Sequence, residues 1–356
     1  MKTLSILSLF VLFSLTVFAQ TIRRVNNTPG LNDPNVYATL QAAHDAAAAN
    51  DIISVEPAPG INYGNLNVFK RINIVGPGYF LDKNPNNVFD KREPSIAGIT
   101  FQGGSANSTV TGVNIGSVII QDLNISVTRC QISSISFGVS TIQSGGVFTM
   151  GNNALISRNI ISYISGGQYS STCGGVACTL YYGTNCVISN NIINSQISYL
   201  SAAIIKYNTM LGSIVATIGS TVSNNIFEAR NQVAGYQVFY QGSNNAVLNN
   251  ICLSVNGLPT GNGNINGANP NVVFIGTSNP FPNIGTLGDS VFQLAAGSPA
   301  LTAAVGGTQA GAFGDGANAY RLSGVPNTPI VTFFISTGSG NTATPLSITV
   351  SVRSNN

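Results

Sequence analysis

The sequence predicts an all-β solenoid, in which short strands wind around one apolar core. A six-residue phrase, typified by Val187–Ile192 (VISNNI), recurs along the chain, and its final isoleucines stand at positions 115, 132, 160, 192, 226 and 251. The steps between them are 17, 28, 32, 34 and 25 residues, sizes typical of solenoid repeats. Strand-forming and turn-forming residues dominate the phrases without a 3.6-residue period, which excludes helical repeats.

The composition limits the classes of partner. Charged residues make up 7% of the 356-residue chain, the net charge is +3, and the basic residues are scattered. Binding to nucleic acid through its phosphates needs a dense basic face, so no nucleic acid is expected as a partner. A hydrophobic fraction of 44% supplies enough apolar surface for a core. The surface must then consist largely of neutral polar side chains, as in extracellular β-rich proteins.

Residues 1–19 are predicted to be a signal peptide. Lys2 precedes the apolar run Leu4–Val17, which is short for a membrane span, and Ala19 is a small residue suited to a cleavage site. No later segment is long and apolar enough to span a bilayer. We therefore expect cleavage near Ala19, a secreted, extracellular or cell-surface location, and no transmembrane segment.

The N-terminal part combines one helix with short strands. The helix is expected near residues 35–49, with Asn35 as its cap and apolar residues at steps of three and four. Residues 79–95 are polar and are expected to form a loop. Strands are expected at Thr21–Val25, Ile52–Val55, Leu66–Phe69 and Ile72–Val75.

An amide side chain precedes the final isoleucine of each phrase. Stacked about 4.8 Å apart, such amides would hydrogen-bond along the axis, and Asn tolerates the left-handed backbone of a sharp corner. We expect a structural ladder with the isoleucines pointing into the core; a polar binding stripe is the alternative. The 17-residue step is short for a complete coil. The expected ladder consists of Asn114, Gln131, Asn159, Asn191, Asn225 and Asn250.

The chain resembles the right-handed parallel β-helix proteins of the pectate-lyase-like superfamily (the pectin lyase-like fold). Tyr37–His44 with Asn50–Val55 is similar to their capping helix and first coil, and Ile72–Gly78 to the next rung. Phe292–Ala300 with Gly311–Gly314 is similar to their closing coil. The resemblance implies three parallel sheets wound as a prism over residues 20–316, and no particular reaction. The signal peptide and the overall character of the sequence also resemble those of secreted proteins of Bacteroidetes-type bacteria.

Residues 317–356 are predicted to form a β-hairpin cap. Pro329–Thr337 and Leu346–Ser354 are β-rich, and Ile348, Val350 and Val352 alternate with hydroxyl residues as in a half-buried strand. The hairpin is expected to cover the open end of the helix, because an uncovered last rung exposes unpaired backbone groups.

The acidic residues are too few for familiar carbohydrate chemistry. Residues 98–290 contain Asp122, Glu228 and Asp289, far apart in the chain, whereas glycosidases need paired carboxylates and calcium sites need several oxygen ligands. The lone histidine, His44, supports neither a zinc site nor a catalytic triad. We expect no metal and no cofactor.

A metal-independent lyase would need cations and tyrosines in place of carboxylates. Its weak catalytic candidates are Arg129, Arg158, Lys206 and Tyr207. Arg129 and Arg158 fall on successive phrases, one position out of register, so they are expected to be near neighbours. The alternative is that these charges are isolated and keep the surface soluble.

Tyrosines and cysteines mark the long insertion 163–186. Tyrosine rings stack on sugars, so Tyr163, Tyr169, Tyr181 and Tyr182 are candidates for glycan binding; the alternative is half-burial at loop bases. Cys173 and Cys178 lie close enough in the chain for a small loop disulfide in an exported protein.

These features favour a secreted or cell-surface, non-catalytic binding or structural protein whose partner is a polysaccharide or a component of the cell envelope. One alternative is a polysaccharide lyase or glycoside hydrolase. Another is an extracellular fibre subunit that self-associates through its β-rich ends, since a low charge density provides little repulsion.

Overall fold

The computed structural model describes residues 20–58, 62–84, 89–141, 148–173, 176–228 and 238–353. For residues 140–141, 148–149, 168–173, 176–181 and 240 it describes the backbone alone. The predicted signal peptide, residues 1–19, lies outside this range.

Two large sheets of mostly parallel strands form the body of the protein. The first, sheet 1, has 11 strands. They are β1 (Ile22–Val25), β2 (Val36–Tyr37), β3 (Ile52–Val55), β5 (Asn73–Val75), β7 (Thr109–Thr111), β9 (Ser126–Thr128), β13 (Leu155–Ser157), β17 (Val187–Ser189), β20 (Ile204–Lys206), β23 (Thr221–Ser223) and β26 (Ala246–Leu248).

The second, sheet 2, has 12 strands. They are β4 (Asn65–Val68), β6 (Ser95–Phe101), β8 (Asn114–Ile120), β10 (Gln131–Phe137), β14 (Ile160–Ser165), β18 (Ile192–Ile193), β21 (Thr209–Met210), β24 (Ile226–Phe227), β27 (Ile251–Cys252) and a branch of β19 (Ile197–Ser198), β22 (Ile214–Val215) and β25 (Phe239–Tyr240).

Three antiparallel hairpins and a few short helices complete the chain. The hairpins are β11 (Val139–Thr141) with β12 (Phe148–Met150), β15 (Gly167–Cys173) with β16 (Val176–Tyr182), and β28 (Ile330–Ser336) with β29 (Ile348–Arg353). The α-helices are α1 (Leu40–Ala46) and α2 (Ile284–Leu287). The 3₁₀ turns are Pro270–Val272, Phe281–Asn283, Asp289–Phe292, Pro299–Leu301, Val305–Gly307, Gly316–Asn318 and Leu322–Gly324.

From β5 onward the chain alternates between the two sheets, so each coil adds one strand to each stack. This arrangement is consistent with a parallel β-helix. The resemblance implied three sheets, whereas the described strands form two large ones, with the short strands β19, β22 and β25 as a branch of sheet 2. The main core lies between the stacks and contains the central residue of each three-residue strand of sheet 1, such as Val127, Ile156 and Ile188.

Helix α1 is shorter than the sequence predicted. Val36 and Tyr37 pair with β1, so the chain is still extended where the helix was expected to begin. Thr39, not Asn35, caps the helix, since its Oγ1 accepts a hydrogen bond of 3.1 Å from the Ala42 N–H.

The amide ladder exists with a different membership from that expected. In each rung the Oδ1 atom accepts from the backbone N–H and the Nδ2 of the preceding Asn, at 2.8–3.2 Å. The sequence alignment missed Asn208, on a coil hidden inside the 34-residue step, and Asn264. The hydrogen-bonded column is Asn159, Asn191, Asn208, Asn225, Asn250 and Asn264.

Asn114 and Gln131 lie one position away from this ladder. Gln131 pairs in register with Ile160, while the N–H of Cys130 donates to Asn159 Oδ1 at 2.8 Å. The expected alignment of Gln131 with Asn159 was therefore wrong by one residue. The 17-residue spacings from Asn191 to Asn208 and from Asn208 to Asn225 also show that 17 residues complete a coil.

The left-handed residue of each corner is the one before the ladder Asn, not the ladder Asn itself. The column contains Gly112 (φ 73°), Arg129 (φ 53°), Arg158 (φ 61°), Asn190 (φ 56°), Tyr207 (φ 54°), Asn224 (φ 60°) and Asn249 (φ 52°). Arg129 and Arg158 thus occupy the same position on successive coils, which corrects the expectation that they are out of register.

The phrase isoleucines also divide into two groups. Ile115 and Ile132 point into the main core as expected. Ile160, Ile192, Ile226 and Ile251 lie instead in separate clusters with residues from the C-terminal part, including Phe281, Phe292, Val273 and Phe274. Residues 268–327, which we name the covering segment, therefore pack on the outer face of sheet 2. The expected closing coil, Phe292–Ala300, is part of this segment.

The terminal hairpin does not cover the last coil. The Phe89 N–H donates to the Val331 carbonyl at 2.8 Å, and the Phe89 and Phe334 rings lie 5.8 Å apart. Leu81, Val325 and Ile330 form a small apolar cluster nearby. The covering segment runs back along the coils, so the hairpin that follows it reaches the loop after β5, near the N-terminal coils.

We predict that Asn208→Ala lowers the free energy of unfolding by roughly 2–4 kcal/mol, because it leaves several fully buried partners unsatisfied. These partners are the Asn191 amide groups and the Ile188 carbonyl. The control is exposed Asn35→Ala, expected within about 0.5 kcal/mol of the unmodified protein in chemical denaturation. Equal effects of the two substitutions would contradict a stabilising ladder.

We also predict that His44 makes stability fall on mild acidification. The ring is 0% exposed, accepts from the Phe69 N–H through Nε2 at 3.4 Å, and contacts the Asp45 carboxylate through Nδ1 at 3.0 Å. Burial lowers the pKa of His44, despite the opposing effect of Asp45. The unfolded ring takes up a proton near pH 6.5, whereas the folded ring does so only at a lower pH, so acidification below pH 6.5 favours the unfolded state.

The measurement is urea denaturation of the protein and of His44→Gln at about pH 7.5 and about pH 5.5. The unmodified protein should lose more stability between these conditions than the variant does. An identical loss in both would rule out the ring as the source of the pH dependence.

Candidate ligand-binding cleft

One outward-facing column of sheet 2 changes from apolar to polar along the stack. In register order its members are Asn114, Gln131, Ile160, Ile192, Thr209, Ile226 and Ile251. The covering segment packs on the isoleucines. Asn114 and Gln131 occupy the column next to the last isoleucine on which the covering segment packs, and a cleft opens at this boundary.

The cleft has a volume of about 140 Å³. Phe281 and Ile284 of the covering segment form one side, and strands β8, β10 and β14 with the loop after β18 form the other. Dedicated ligand pockets have about 300–1,000 Å³, so this cleft would hold one part of a larger ligand. Its polar lining consists of Asn114, Gln131, Ser133, Ser162 and Asn194.

The amides of the cleft are available for a ligand. The side chains of Asn114, Gln131 and Asn194 make no hydrogen bond with any part of the chain that the structure describes, in contrast to the saturated ladder amides. Each amide offers two donors and one acceptor. No ionisable side chain is among the described residues that line the cleft. The arrangement can bind neutral hydroxyl groups but supplies no general acid or base.

Tyr163 extends this surface. It follows the cleft residue Ser162, pairs in register with Ser134, and is 43% exposed. An exposed phenol ring beside unbonded amides can stack on a sugar ring while the amides bond its hydroxyls. Of the four tyrosine candidates, Tyr163 is the one that the structure places beside the cleft.

The other residues of the insertion are not part of this surface. Tyr182 is half-buried and packs against the main core. The side chains of Tyr169, Tyr181, Cys173 and Cys178 lie outside the described part of the structure. The backbone register of the β15–β16 hairpin places Cys173 opposite Val176, and Cys178 opposite Ser171, so the disulfide remains a prediction.

The four catalytic candidates lie at the corner of the coils, under or beside the covering segment. Tyr207 is buried and belongs to an apolar cluster with Ile226 and Ala310. Lys206 Nζ lies 3.4 Å from Asp315 Oδ2 and 5.7 Å from the centre of the Tyr207 ring. The neighbouring corner residue Asn190 donates to the Ala312 and Gly314 carbonyls. These contacts attach the covering segment to the corner column.

Arg129 has the same structural role on an earlier coil. It is 4% exposed, and its Nη1 donates to the Val325 carbonyl at 3.1 Å and to Asn327 Oδ1 at 2.6 Å. Burial, followed by the like charges of Arg158 and Arg321, lowers the pKa of Arg129 to about 10. The cation therefore lies in a site that burial and neighbouring charges make unfavourable for it, and its hydrogen bonds offset that cost.

Arg158 differs from Arg129 because its guanidinium has no hydrogen-bonding partner among the described residues, and its Nε atom is buried. Burial and the charge of Arg321 lower the pKa of Arg158. The two arginines occupy equivalent corner positions, yet one bonds to the covering segment and the other does not. They therefore offer a matched pair for testing what each contributes.

A second buried polar group holds the covering segment, and nothing in the sequence pointed to it beyond the presence of Asp289. Asp289 is 0% exposed and accepts hydrogen bonds from Tyr320 Oη (2.8 Å), Ser323 N (2.6 Å) and Asn84 Nδ2 (2.9 Å). Tyr320 also bonds to the Tyr79 hydroxyl. Burial raises the pKa of Asp289. The group links the covering segment to the loop after β5, and none of its residues lines the cleft.

We predict opposite outcomes for the two arginines. Arg129→Met should lower the free energy of unfolding by about 2 kcal/mol, because the hydrogen bonds that Arg129 donates to the Val325 carbonyl and to Asn327 are lost, and should speed hydrogen exchange in residues 323–327. Arg158→Met should be neutral or stabilising, because it removes a partly buried cation that has no side-chain partner in the described part of the chain. Equal destabilisation by both, with exchange unchanged at residues 323–327, would show that Arg129 does not anchor the segment.

Three further searches, for metal-ligand groups, for membrane-spanning helices and for similar known proteins, assign no function to this geometry. Among the described residues, no group of three or more His, Cys, Asp or Glu side chains could hold a metal ion. The described helices include none that is long and apolar enough to cross a membrane. No protein-family model, curated protein or solved structure matches the chain.

Proposed function

We propose that this chain is an exported, non-catalytic, polysaccharide-recognising protein with a right-handed parallel β-helix fold of the pectate-lyase-like kind. The alternation of parallel strands between two stacked sheets supports the fold. Helix α1, whose Leu40 and Ala43 belong to the main core, would close the N-terminal end of the coils. Polysaccharide on a cell surface or in the extracellular space is the proposed partner.

The observation that carries this proposal is the cleft beside Tyr163. It presents two serines and the side-chain amides of Asn114, Gln131 and Asn194, which have no hydrogen-bonding partner among the described residues, and an exposed aromatic ring follows Ser162 on the same strand. Hydroxyl groups of a sugar match donors and acceptors of this kind, and an extended chain of sugars would continue along the face beyond the small cleft.

The alternative of a lyase or glycoside hydrolase has less support. Of its candidates, Arg129, Lys206 and Tyr207 are engaged with the covering segment or with its neighbours at the corner. A proton-abstracting base must reach the substrate, and a residue held beneath another segment of the chain cannot do so without displacing it.

Titration calorimetry with a panel of soluble neutral and acidic polysaccharides tests the proposal. We expect binding to at least one of them, and Gln131→Leu should weaken it roughly tenfold, because a neutral hydrogen bond contributes about 0.5–1.5 kcal/mol. Tyr163→Ala should weaken the same interaction through lost stacking. The matched control is Gln102→Leu, directly after strand β6 of sheet 2, where the Gln102 side chain bonds to Asn67 and does not line the cleft.

Two results would overturn the proposal. One is the absence of binding to every polysaccharide in the panel. The other is the release of shortened or unsaturated products from the same mixtures, followed by ultraviolet absorbance and reducing-end assays, which would establish the enzymatic alternative.

A further inference from the structure

The C-terminal hairpin exposes an unusual amount of apolar surface. Every residue of β29 is exposed, with exposed fractions of 53% for Ile348, 47% for Val350 and 60% for Val352. On β28, Phe333 and Ile335 are 47% and 56% exposed. A two-stranded hairpin alone is marginally stable in water, and exposed apolar patches mark sites of association.

The two edges of the hairpin are not equivalent. The register of β28 shifts between Val331 and Phe333, which marks an irregularity in that strand. The Phe89 N–H already bonds to the Val331 carbonyl, and the Phe89 ring packs on Phe334. A bulge and a covering loop are devices that protect a strand edge from further pairing.

Strand β29 has none of these protections. Among the described residues, β28 is the one strand that pairs with it. Its sequence, ITVSVR, contains no proline and no lysine, and its single charge, Arg353, stands at the end of the strand. Its outer row of backbone donors and acceptors can therefore accept another strand.

The residue pattern of β29 fits a second copy of itself. In an antiparallel pair centred on Val350, Val350 faces Val350, Ile348 faces Val352, and Thr349 faces Ser351 of the other copy. All apolar side chains then lie on one face and all hydroxyls on the other, as strand pairing requires. The two Arg353 side chains lie at opposite ends, so no like charges meet. The low net charge of +3 adds little repulsion.

We propose that two copies of this protein associate by pairing β29 with β29 of the second copy, which makes a four-stranded antiparallel sheet around a two-fold axis. Because β28 is irregular beside Val331 and is bonded there to Phe89, β29 is the regular and open edge of each copy. The interface is therefore self-complementary and closes at a dimer instead of extending into a fibre. This proposal does not depend on the proposed ligand of the cleft.

Analytical ultracentrifugation of the purified protein over a range of concentrations tests the association. We expect a reversible monomer–dimer equilibrium, and Val350→Lys should weaken it at least about tenfold, because two lysines would face each other at the centre of the pair. Val350→Glu should do the same. The equimolar mixture of the two variants should recover the dimer, since lysine then faces glutamate, a result that misfolding of either variant would not produce.

The control variant is Ile335→Lys, which places the same charge on β28 at a similarly exposed position and should leave dimerisation within about twofold of the unmodified protein. A monomer at all concentrations, or oligomers that grow without limit, would overturn the proposal. Failure of the mixed variants to dimerise would likewise exclude the pairing centred on Val350. If β29 paired with a different protein instead of with a second copy, the purified protein would be a monomer, which is one of the results that overturn the proposal.

Discussion

The hydrogen-bonded corner between the two sheets is the constraint on which the rest of the structure depends. Each coil must reverse direction at the same place, and the backbone groups buried there need partners. The ladder amides provide them. Asn159 Oδ1 accepts from the Cys130 N–H, while its Nδ2 donates to the Val127 carbonyl and to Asn191 Oδ1. One side chain thus satisfies two backbone groups of the preceding coil and bonds to the ladder amide of the next coil.

This role explains why asparagine fills the position on each coil of the ladder from Asn159 to Asn264. Leucine or isoleucine would fill the space but leave the Cys130 N–H and the Val127 carbonyl unpaired in an apolar core. Serine or threonine could not donate twice and accept twice. The residue before the ladder, by contrast, needs only a left-handed backbone, so Gly112, Arg129, Asn190 and Tyr207 can all occupy it. Its side chain is free for other contacts, and the covering segment makes them.

The stacked strands could be predicted from the sequence because the phrase repeats the requirements of the corner. The exact register of these strands could not be predicted from it. Thr128–Ile132 matches the phrase by residue type, since Gln131 carries an amide, but the Cys130 position relies on the Asn159 amide of the next coil for its hydrogen bond. The coil of Asn208 was missed because Thr209 stands where the other phrases have isoleucine. Both errors arise because residue types alone do not show which hydrogen bonds form between the coils.

The cleft was harder to predict because it forms only where a segment that is distant in the sequence packs beside Asn114 and Gln131. Nothing in the local sequence of Asn114 or Gln131 shows that the column they share is apolar elsewhere, or that residues 268–327 return to cover it. Sequence reasoning named both residues, although for the wrong reason.

The covering segment also connects the location of the cleft with the stability of the fold. It needs an apolar outer column on which to pack, and Ile160, Ile192, Ile226 and Ile251 supply one along the C-terminal coils. Where that column becomes polar, Phe281 and Ile284 have no apolar strand surface to follow, and a gap remains between them and the sheet. Extending the isoleucine column to Asn114 and Gln131 would bury more apolar surface and close the gap. The polar residues at these two positions therefore forgo stability that the fold could have had, which is the pattern expected of a binding surface rather than of a core.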